Sequence, residues 1–271
     1  MREKFRELQD YLSKMSKQGL CLAYSGGIDS CVLLYLCKDL DVVAVTFKSL
    51  LQDDEEIAFA CDLCKTYKVE HKIVEYYPLD DPFIKNNPKD RCYYCKKMFF
   101  SKIIDFANNR VVIDGTNADD LKVFRPGIKA LKELKIHSPF AEFEITKQEI
   151  RDCAKHCGIK IYNKPSTPCF ATRFPYNTLL CETLINKAKE GEKILKYYGF
   201  SDCRFRIHND IARIEIPLCE INKFIGLREK ILIKLKSLNL KYYTLDIEGL
   251  RIASMDCALS DTQPAQKKQA E

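Results

Sequence analysis

Residues 20–37 read LCLAYSGGIDSCVLLYLC, and this stretch decides the fold. The apolar run at 20–24 is typical of a short buried strand, and the apolar stretch at 31–38 has the spacing of a helix. Between them lies the hexapeptide SGGIDS, whose two glycines allow a tight turn with inward-pointing N–H groups. Because the positive end of the following helix points at this turn, the stretch predicts a site for a polyanion.

The polar residues of the hexapeptide support this interpretation. Ser25 and Ser30 add hydroxyl donors, whereas Asp29 would repel an anion unless it helps to hold Mg²⁺ on phosphate groups. A Ser-Gly-Gly turn that merely links a strand to a helix is the simpler alternative. We reject it because the buried strand, the helix and the Asp-Ser pair all occur together. No Gly-Lys-Ser or Gly-Lys-Thr stands at the spacing of a Walker loop.

The rest of the pattern predicts an α/β protein with a doubly wound parallel sheet. Strands and helices alternate to about residue 160, with further strands over 41–47, 70–75 and 110–114 and helices over 4–17, 55–67, 96–108 and 146–157. Thr146 and Glu149 have the spacing of a capping box for the last of these helices. We therefore predict a main domain over 1–178, a small α+β domain over 179–256 and a disordered tail over 257–271.

Composition narrows the class of protein. Of 271 residues, 46% are hydrophobic and 30% charged, which is typical of a globular chain. The net charge of +6 suits an anionic small molecule and is too mild to argue for nucleic acid. No apolar run approaches the ~20 residues of a membrane span, and no apolar signal segment opens the chain, so we expect a cytoplasmic protein. The 14 cysteines then indicate reduced thiols or metal ligands rather than disulfides.

Other polar clusters follow the later predicted strands. They read NPKDRCYYCK at 87–96, DGTNADD at 114–120, RPG at 125–127, Ser138-Pro139 and PCFATRFPY at 168–176. In a doubly wound sheet, such loops converge beyond the carboxyl ends of the strands. We therefore expect them to surround the polyanion site.

The hexapeptide resembles the SGGxDS signature of PP-loop ATP pyrophosphatases, which have the adenine nucleotide alpha hydrolase-like fold. Together and in this order, the clusters resemble the LarE family of ATP-dependent sulfur transferases from about residue 20 to residue 255. That resemblance implies that ATP adenylates a carboxylate of a pyridinium mononucleotide, and that sulfur then replaces AMP to give a thiocarboxylate. It also implies a small nucleotide substrate and an assembly of identical subunits.

The resemblance places the family's sulfur-bearing cysteine at Cys169. One form of the family has this cysteine alone, and the other has three cysteines that hold a [4Fe–4S] cluster. Cys92 and Cys95 match the three-cysteine form. The residues support a cluster independently, because a CxxC motif with a third cysteine supplies three thiolates and leaves one iron open. A redox or zinc half-site, or two ordinary thiols, remain the alternatives for Cys92 and Cys95.

Specific roles follow for the site residues. We assign catalytic roles to Cys169, Asp29 and Arg173. We assign ATP binding to Ser25, Gly26, Gly27, Asp29, Ser30, Thr46, Gly115, Thr116 and Asn117. Substrate binding is assigned to Arg91, Lys96, Arg125 and Arg213, and cluster binding to Cys92, Cys95 and Cys169. The expected cofactors are ATP, Mg²⁺ and the [4Fe–4S] cluster. Because Arg91, Lys96 and Arg173 lie close in sequence to these thiols, we expect depressed thiol pKa values.

Two other functions stay open at this point. A tRNA thiolation enzyme of the same superfamily also combines a PP-loop with cysteines. This chain has only one extra CxxC motif, at 61–64, and a mild positive charge. A non-catalytic iron–sulfur carrier or nucleotide sensor is the second alternative, and it would release no pyrophosphate when substrate is added.

Overall fold

The computed structural model describes residues 3–122, 125–163 and 167–251, so the tail predicted over 257–271 lies outside the described residues. The chain divides into two compact units, Met1–Cys169 and Phe170–Glu271. The sequence-based division between residues 178 and 179 falls inside the second unit. As a statement about separate domains, that division stays a prediction.

The first unit is built on a four-stranded sheet in which every pairing is parallel. Its strands are β1 (Leu20–Ala23), β2 (Val42–Lys48), β3 (Glu70–Glu75) and β4 (Val111–Ile113), in the order β3-β2-β1-β4. The predicted parallel α/β fold is thus confirmed. Since the winding reverses between β1 and β4, a crevice opens beyond the carboxyl ends of these two strands.

Eight helices of the described residues surround this sheet. They are α1 (Glu3–Met15), α2 (Ile28–Cys37), α3 (Asp54–Tyr67), α4 (Pro82–Lys85), α5 (Arg91–Ala107), α6 (Pro126–Glu133), α7 (Pro139–Glu142) and α8 (Lys147–His156). The core joins β1 and β2 to the apolar faces of α1, α2 and α8, with Leu8, Leu33 and Phe140 fully buried. Burial of this apolar surface is the main force that stabilises the unit.

Two helices begin earlier than the sequence pattern predicted. Helix α2 begins at Ile28 because Gly27 is extended and serves as its N-cap, so Asp29 falls in its first turn. Helix α5 begins at Arg91 rather than at residue 96. The preceding Cys-Tyr-Tyr-Cys run carries no apolar helical period, which is why the pattern missed it. The correction places Cys92 and Cys95 three residues apart on one helix face.

The capping box predicted for α8 is present. The Glu149 N–H donates to Thr146 Oγ1 over 3.3 Å, and the Thr146 N–H donates to Glu149 Oε2 over 2.9 Å. These reciprocal bonds satisfy two backbone donors that the helix cannot pair internally. They fix the position at which Lys147 enters the helix.

The second unit contains helices and a small sheet, as the predicted α+β architecture requires, and the sheet is mixed. Its elements are α9 (Glu182–Tyr197), β5 (Arg204–His208), β6 (Ile211–Glu215), α10 (Ile221–Leu235) and β7 (Tyr242–Leu245). Strands β5 and β6 pair antiparallel, and β6 and β7 pair parallel. Gly191 packs against the Phe205 ring so closely that an added Cβ would lie 2.4 Å from it.

Among the described residues, every helix is too short or too polar to cross a bilayer.

Replacing the α8 cap should lower stability measurably. We expect Thr146→Ala to reduce the free energy of unfolding by about 1 kcal/mol, because one capping acceptor is lost. Urea denaturation monitored by circular dichroism would measure this. Thr66→Ala is the matched control, since Thr66 is exposed and its hydroxyl donates only to the Asp62 carbonyl within α3. Equal destabilisation by both variants would contradict a special role for the cap.

Candidate functional site

The turn between β1 and α2 depends on glycine at position 26. Gly26 has φ +78°, and a Cβ there would lie 2.8 Å from the Glu56 carbonyl oxygen. The turn is tied internally, since Ser30 Oγ donates to the Gly27 carbonyl over 2.9 Å and lies 3.1 Å from Ser25 Oγ. The loop is therefore held in shape before any ligand arrives.

A cavity of about 350 Å³ opens beside this turn. Its apolar wall includes Val45, Phe47 and Phe99, and the two phenylalanine rings stack 4.9 Å apart. The polar and charged side chains that line it include Ser25, Asp29, Ser30, Lys96, Asp114, Thr116, Asp120 and Arg125. A cavity lined by aromatic rings as well as by hydroxyls and cations suits a nucleotide, which has an apolar base and anionic phosphates.

Gly115, which directly follows Asp114 at the end of β4, closes one side of this crevice. A Cβ on Gly115 would lie 3.0 Å from the Ser30 nitrogen and 3.3 Å from the Asp29 Cβ. The end of β4 therefore rests directly on the first turn of α2. This contact explains why the predicted ATP residues at 25–30 and at 115–116 come together.

The two carboxylate oxygens of Asp29 differ in their hydrogen bonding. Lys147 Nζ donates to Asp29 Oδ2 over 2.5 Å, whereas the buried Oδ1 has no hydrogen-bond partner among the described residues. Burial raises the pKa of Asp29, and the neighbouring Lys147 partly offsets this. A buried, unpartnered carboxylate oxygen beside a phosphate loop is the type of ligand that Mg²⁺ takes. The site therefore fits the expected Mg²⁺.

Lys147 is a site residue that the sequence analysis missed. It is the first residue of α8, and its backbone N–H donates to Asp119 Oδ2 over 2.9 Å. Its side chain reaches Asp29, which lies 118 residues earlier in the chain. The capping box did mark where α8 begins, and that was the one local signal that could have drawn attention to this lysine.

Asp114 is the second residue that went unassigned. It accepts hydrogen bonds of 2.6 Å from both Thr116 Oγ1 and Ser138 Oγ, and it lies 3.8 Å from Lys96 Nζ. The Lys96 stem passes over Gly127, where an added Cβ would lie 2.6 Å from Lys96 Cδ. The RPG motif thus makes room for the Lys96 side chain. The ion pair with Asp114 keeps the Lys96 ammonium group at the cavity.

Two predicted ATP-binding residues do not line the cavity. The buried Thr46 hydroxyl donates to the Tyr24 carbonyl over 2.7 Å and lies 2.8 Å from His71 Nε2. Asn117 Oδ1 accepts from the backbone N–H groups of Asp119 and Asp120, and so holds the turn after β4. The hydrogen bonds described for Thr46 and Asn117 are to other residues of the chain, and the roles of both residues in ATP binding stay predictions.

A second cavity, of about 300 Å³, lies on the other side of the glycine turn. Gly26, Gly27 and Asp29 line it, together with Lys147 and Arg151 of α8. Thr167, Pro168 and Cys169 line the same space. The turn and Cys169 therefore border one cavity, which is what sulfur delivery to a nucleotide-activated group requires.

The three predicted cluster cysteines all act electrostatically on one buried arginine, Arg91. Arg91 is only 3% exposed, and its NH2 group lies 3.9 Å from Cys92 Sγ. Burial lowers the pKa of the Arg91 guanidinium, but the charges of Cys169, Cys92 and Cys95 outweigh this and leave it raised. The guanidinium thus has all three thiols as electrostatic neighbours.

The expected depression of the thiol pKa values is wrong for Cys95. Burial raises the pKa of Cys95, the neighbouring Cys169 raises it further, and Arg91 compensates only in part. Desolvation outweighs the nearby cation because Cys95 is partly buried in the folded chain, which sequence proximity to cations could not reveal.

In their chemistry, the thiols of Cys92, Cys95 and Cys169 match the protein ligands of a [4Fe–4S] cluster with one open iron. Their arrangement is looser, because the described residues include no group of three His, Cys, Asp or Glu side chains gathered at metal-binding distances.

The remaining predicted arginines have carboxylate partners. Arg173 is fully buried, and its Nε and NH2 groups donate to Glu192 over 2.6 and 3.1 Å. Arg213 pairs with Glu215 at 2.5 Å and with Asp246 at 3.0 Å. The catalytic role of Arg173 and the substrate role of Arg213 stay predictions. Arg125 lines the first cavity, is largely exposed and pairs with Asp120 at 2.8 Å.

Fold and site define the class of protein. A sequence profile of the NAD synthase family matches residues 1–96. The structure of the NMN synthetase from Francisella tularensis has a TM-score of 0.51 at 19% identity, covering 61% of this chain and 74% of that one. The structural likeness shows that the chain shares the fold of this synthetase, and the profile match covers the glycine turn between β1 and α2.

The sequence relatives narrow the class further. The chain is 37% identical to the pyridinium-3,5-bisthiocarboxylic acid mononucleotide synthase of Lactiplantibacillus plantarum, over 92% of both proteins. It is 35% identical to an uncharacterized protein of Methanocaldococcus jannaschii, over 88% of this chain and 93% of that protein. A tRNA-specific 2-thiouridylase of Fusobacterium nucleatum is 25% identical, over 73% of this chain and 64% of the relative. The chain belongs to the LarE family of sulfur-transferring enzymes.

A methyl group at position 127 should displace Lys96 and weaken nucleotide binding. We expect Gly127→Ala to raise the Kd for ATP about tenfold, because one charge-assisted contact to phosphate is lost. Gly226→Ala is the matched control, since Gly226 also lies in a helix but has open space where its Cβ would stand. Isothermal titration calorimetry measures both variants. Equal ATP affinity in wild type and Gly127→Ala would contradict the role of Lys96.

Proposed function

We propose that this enzyme uses ATP to adenylate a carboxylate of a pyridinium mononucleotide and then replaces AMP with sulfur, giving a thiocarboxylate. The observation that carries the proposal is the second cavity, which Gly26, Gly27 and Cys169 border together. The name of the Lactiplantibacillus plantarum relative, a synthase of a bisthiocarboxylic acid mononucleotide, supports the same reaction.

In the first half-reaction, the substrate carboxylate oxygen attacks the α-phosphorus of ATP. The bond from the α-phosphorus to the oxygen bridging to the β-phosphate breaks, and pyrophosphate leaves with that electron pair. Such a reaction needs alignment and charge neutralisation more than proton transfer. Lys96 in the first cavity and Lys147 and Arg151 in the second supply positive charge on both sides of the turn. Asp29 would hold Mg²⁺ through its free Oδ1.

In the second half-reaction, a sulfur nucleophile attacks the acyl carbon and AMP leaves with its bridging oxygen. Cys169 borders the space in which that acyl carbon would lie. We propose that Cys92, Cys95 and Cys169 hold a [4Fe–4S] cluster. When bound, such a cluster supplies an iron without a protein thiolate, open to an external sulfide. Assembly into a homo-oligomer and a cytoplasmic location also stay proposals.

Removing Cys169 should separate sulfur transfer from ATP binding. We expect Cys169→Ala to lose at least about 10³-fold in thiocarboxylate formation, because the group beside the transferred sulfur is gone. ATP affinity should stay within about twofold, since the turn and Asp29 are intact. Product mass spectrometry and calorimetry measure the two effects. Cys219→Ala, at an exposed cysteine of the second unit, is the control. Unchanged thiocarboxylate formation in Cys169→Ala would refute the assignment.

The proposed ligand set predicts the iron content. Protein reconstituted without oxygen should hold about four iron atoms per subunit, with acid-labile sulfide. Cys92→Ala should lose most of both, because the cluster keeps only two protein ligands. Colorimetric iron and sulfide analysis reads this out, and Cys181→Ala, at another exposed cysteine, should match wild type. Full retention of iron in Cys92→Ala would show that Cys92 is no ligand.

A further inference from the structure

A pair of thiols at the end of α8 belongs neither to the phosphate turn nor to the predicted cluster ligands. Cys153 Sγ lies 3.9 Å from Cys157 Sγ, and the two residues stand four positions apart on one helix face. Cys153 is buried, whereas Cys157, the C-cap of α8, is partly exposed. Two free thiols this close together form a dithiol that an oxidant from solution can reach through Cys157.

The end of α8 has the freedom to bring the two sulfur atoms together. On a regular helix, Cβ atoms four residues apart are separated by about 5–6 Å, whereas a disulfide needs about 3.5–4.5 Å. Cys157 has already left the helical conformation, with ψ 1°, and Gly158 follows with φ +71°. A Cβ on Gly158 would meet open space, so the last turn has room to tighten.

The same end of α8 is joined to α2 by a hydrogen bond. The Tyr35 hydroxyl, near the end of α2, shares this bond with the Cys157 thiol. At the other end of the two helices, Asp29 in the first turn of α2 pairs with Lys147, the first residue of α8. Helices α2 and α8 therefore pack side by side and run in the same direction. A movement of Cys157 would break its contact with Tyr35 and loosen the helix pair that carries Asp29 and Lys147.

We propose that Cys153 and Cys157 are a redox modification site, which a peroxide closes into a disulfide and which weakens ATP binding when closed. The Cys157 thiolate attacks one peroxide oxygen, the O–O bond breaks and hydroxide leaves, which gives a sulfenic acid. The Cys153 sulfur then attacks the Cys157 sulfur, and the sulfenic oxygen leaves as water with the Cys153 proton. In total, two thiols give up two electrons and two protons, and one hydrogen peroxide becomes two water molecules.

Burial gives the two thiols different parts in this reaction. Burial raises the pKa of Cys153 to about 12, and the neighbouring Cys157 adds to this, so Cys153 stays a protonated thiol. Cys157 is the partly exposed member of the pair and meets the peroxide first. Cys153 then needs no access to solvent, because its sulfur already lies beside the sulfenic acid.

Trypsin digestion of the oxidised full-length enzyme tests the disulfide directly. Hydrogen peroxide is added first, and iodoacetamide then blocks the remaining thiols. Cleavage at Arg151, Lys155 and Lys160 places the two cysteines on separate peptides, 152–155 and 156–160. We expect mass spectrometry to find these peptides joined to each other, and to find them separate after dithiothreitol, because only a disulfide links them.

Calorimetry tests the effect on nucleotide binding. We expect oxidation of wild type to raise the Kd for ATP at least about fivefold, and dithiothreitol to restore it. Cys157→Ser should form no joined peptides and should keep its ATP affinity in peroxide, and Cys153→Ala should behave in the same way. Cys61→Ser is the matched control, since Cys61 is also a partly exposed helical cysteine with a second thiol, Cys64, nearby in its helix. This control should respond to peroxide as wild type does.

Three outcomes overturn the inference. They are absence of the joined peptides from oxidised wild type, an unchanged Kd for ATP in enzyme that contains them, and an equal loss of ATP affinity in oxidised Cys157→Ser. The proposed function is tested separately by thiocarboxylate formation in fully reduced enzyme, in which both thiols are free. Failure of that reaction would remove the proposed function and leave the redox site in place.

Discussion

The site rests on backbone crowding at the SGGIDS turn. Gly26 passes the Glu56 carbonyl with no space for a side chain, and Gly115 presses on the nitrogen of Ser30. These two contacts join α3 and the end of β4 to the first turn of α2. Because the loop is held by its own chain, its N–H groups need no reorganisation when phosphates bind, and such preorganisation is what electrostatic catalysis requires.

Local features of the site were predictable from sequence, and distant ones were not. Spacings of a few residues define the strand, turn and helix at 20–37 and the capping box at Thr146. The sequence pattern therefore predicted both features. Lys147 meets Asp29 across 118 residues, and no local pattern records that contact. The high pKa of Cys95 likewise depends on burial, which proximity to arginine in the sequence cannot indicate.

The second unit holds its buried arginines in pairs with carboxylates of the same unit. Arg206 donates to Glu215 over 2.7 and 3.0 Å, and Arg173 donates to Glu192 over 2.6 and 3.1 Å. Removing one partner of such a buried pair typically costs about 3–5 kcal/mol, because the other charge is left uncompensated. These ion pairs therefore give both arginines a structural role within the second unit.

The Lys147–Asp29 pair has a consequence for the order in which ligands enter. A cation that binds Asp29 through Oδ1 would leave the Lys147 ion pair on Oδ2 in place. Because that ammonium group offsets the negative charge of the carboxylate, Asp29 would attract a bare ion only weakly and would better hold an ion that arrives already bound to phosphate groups.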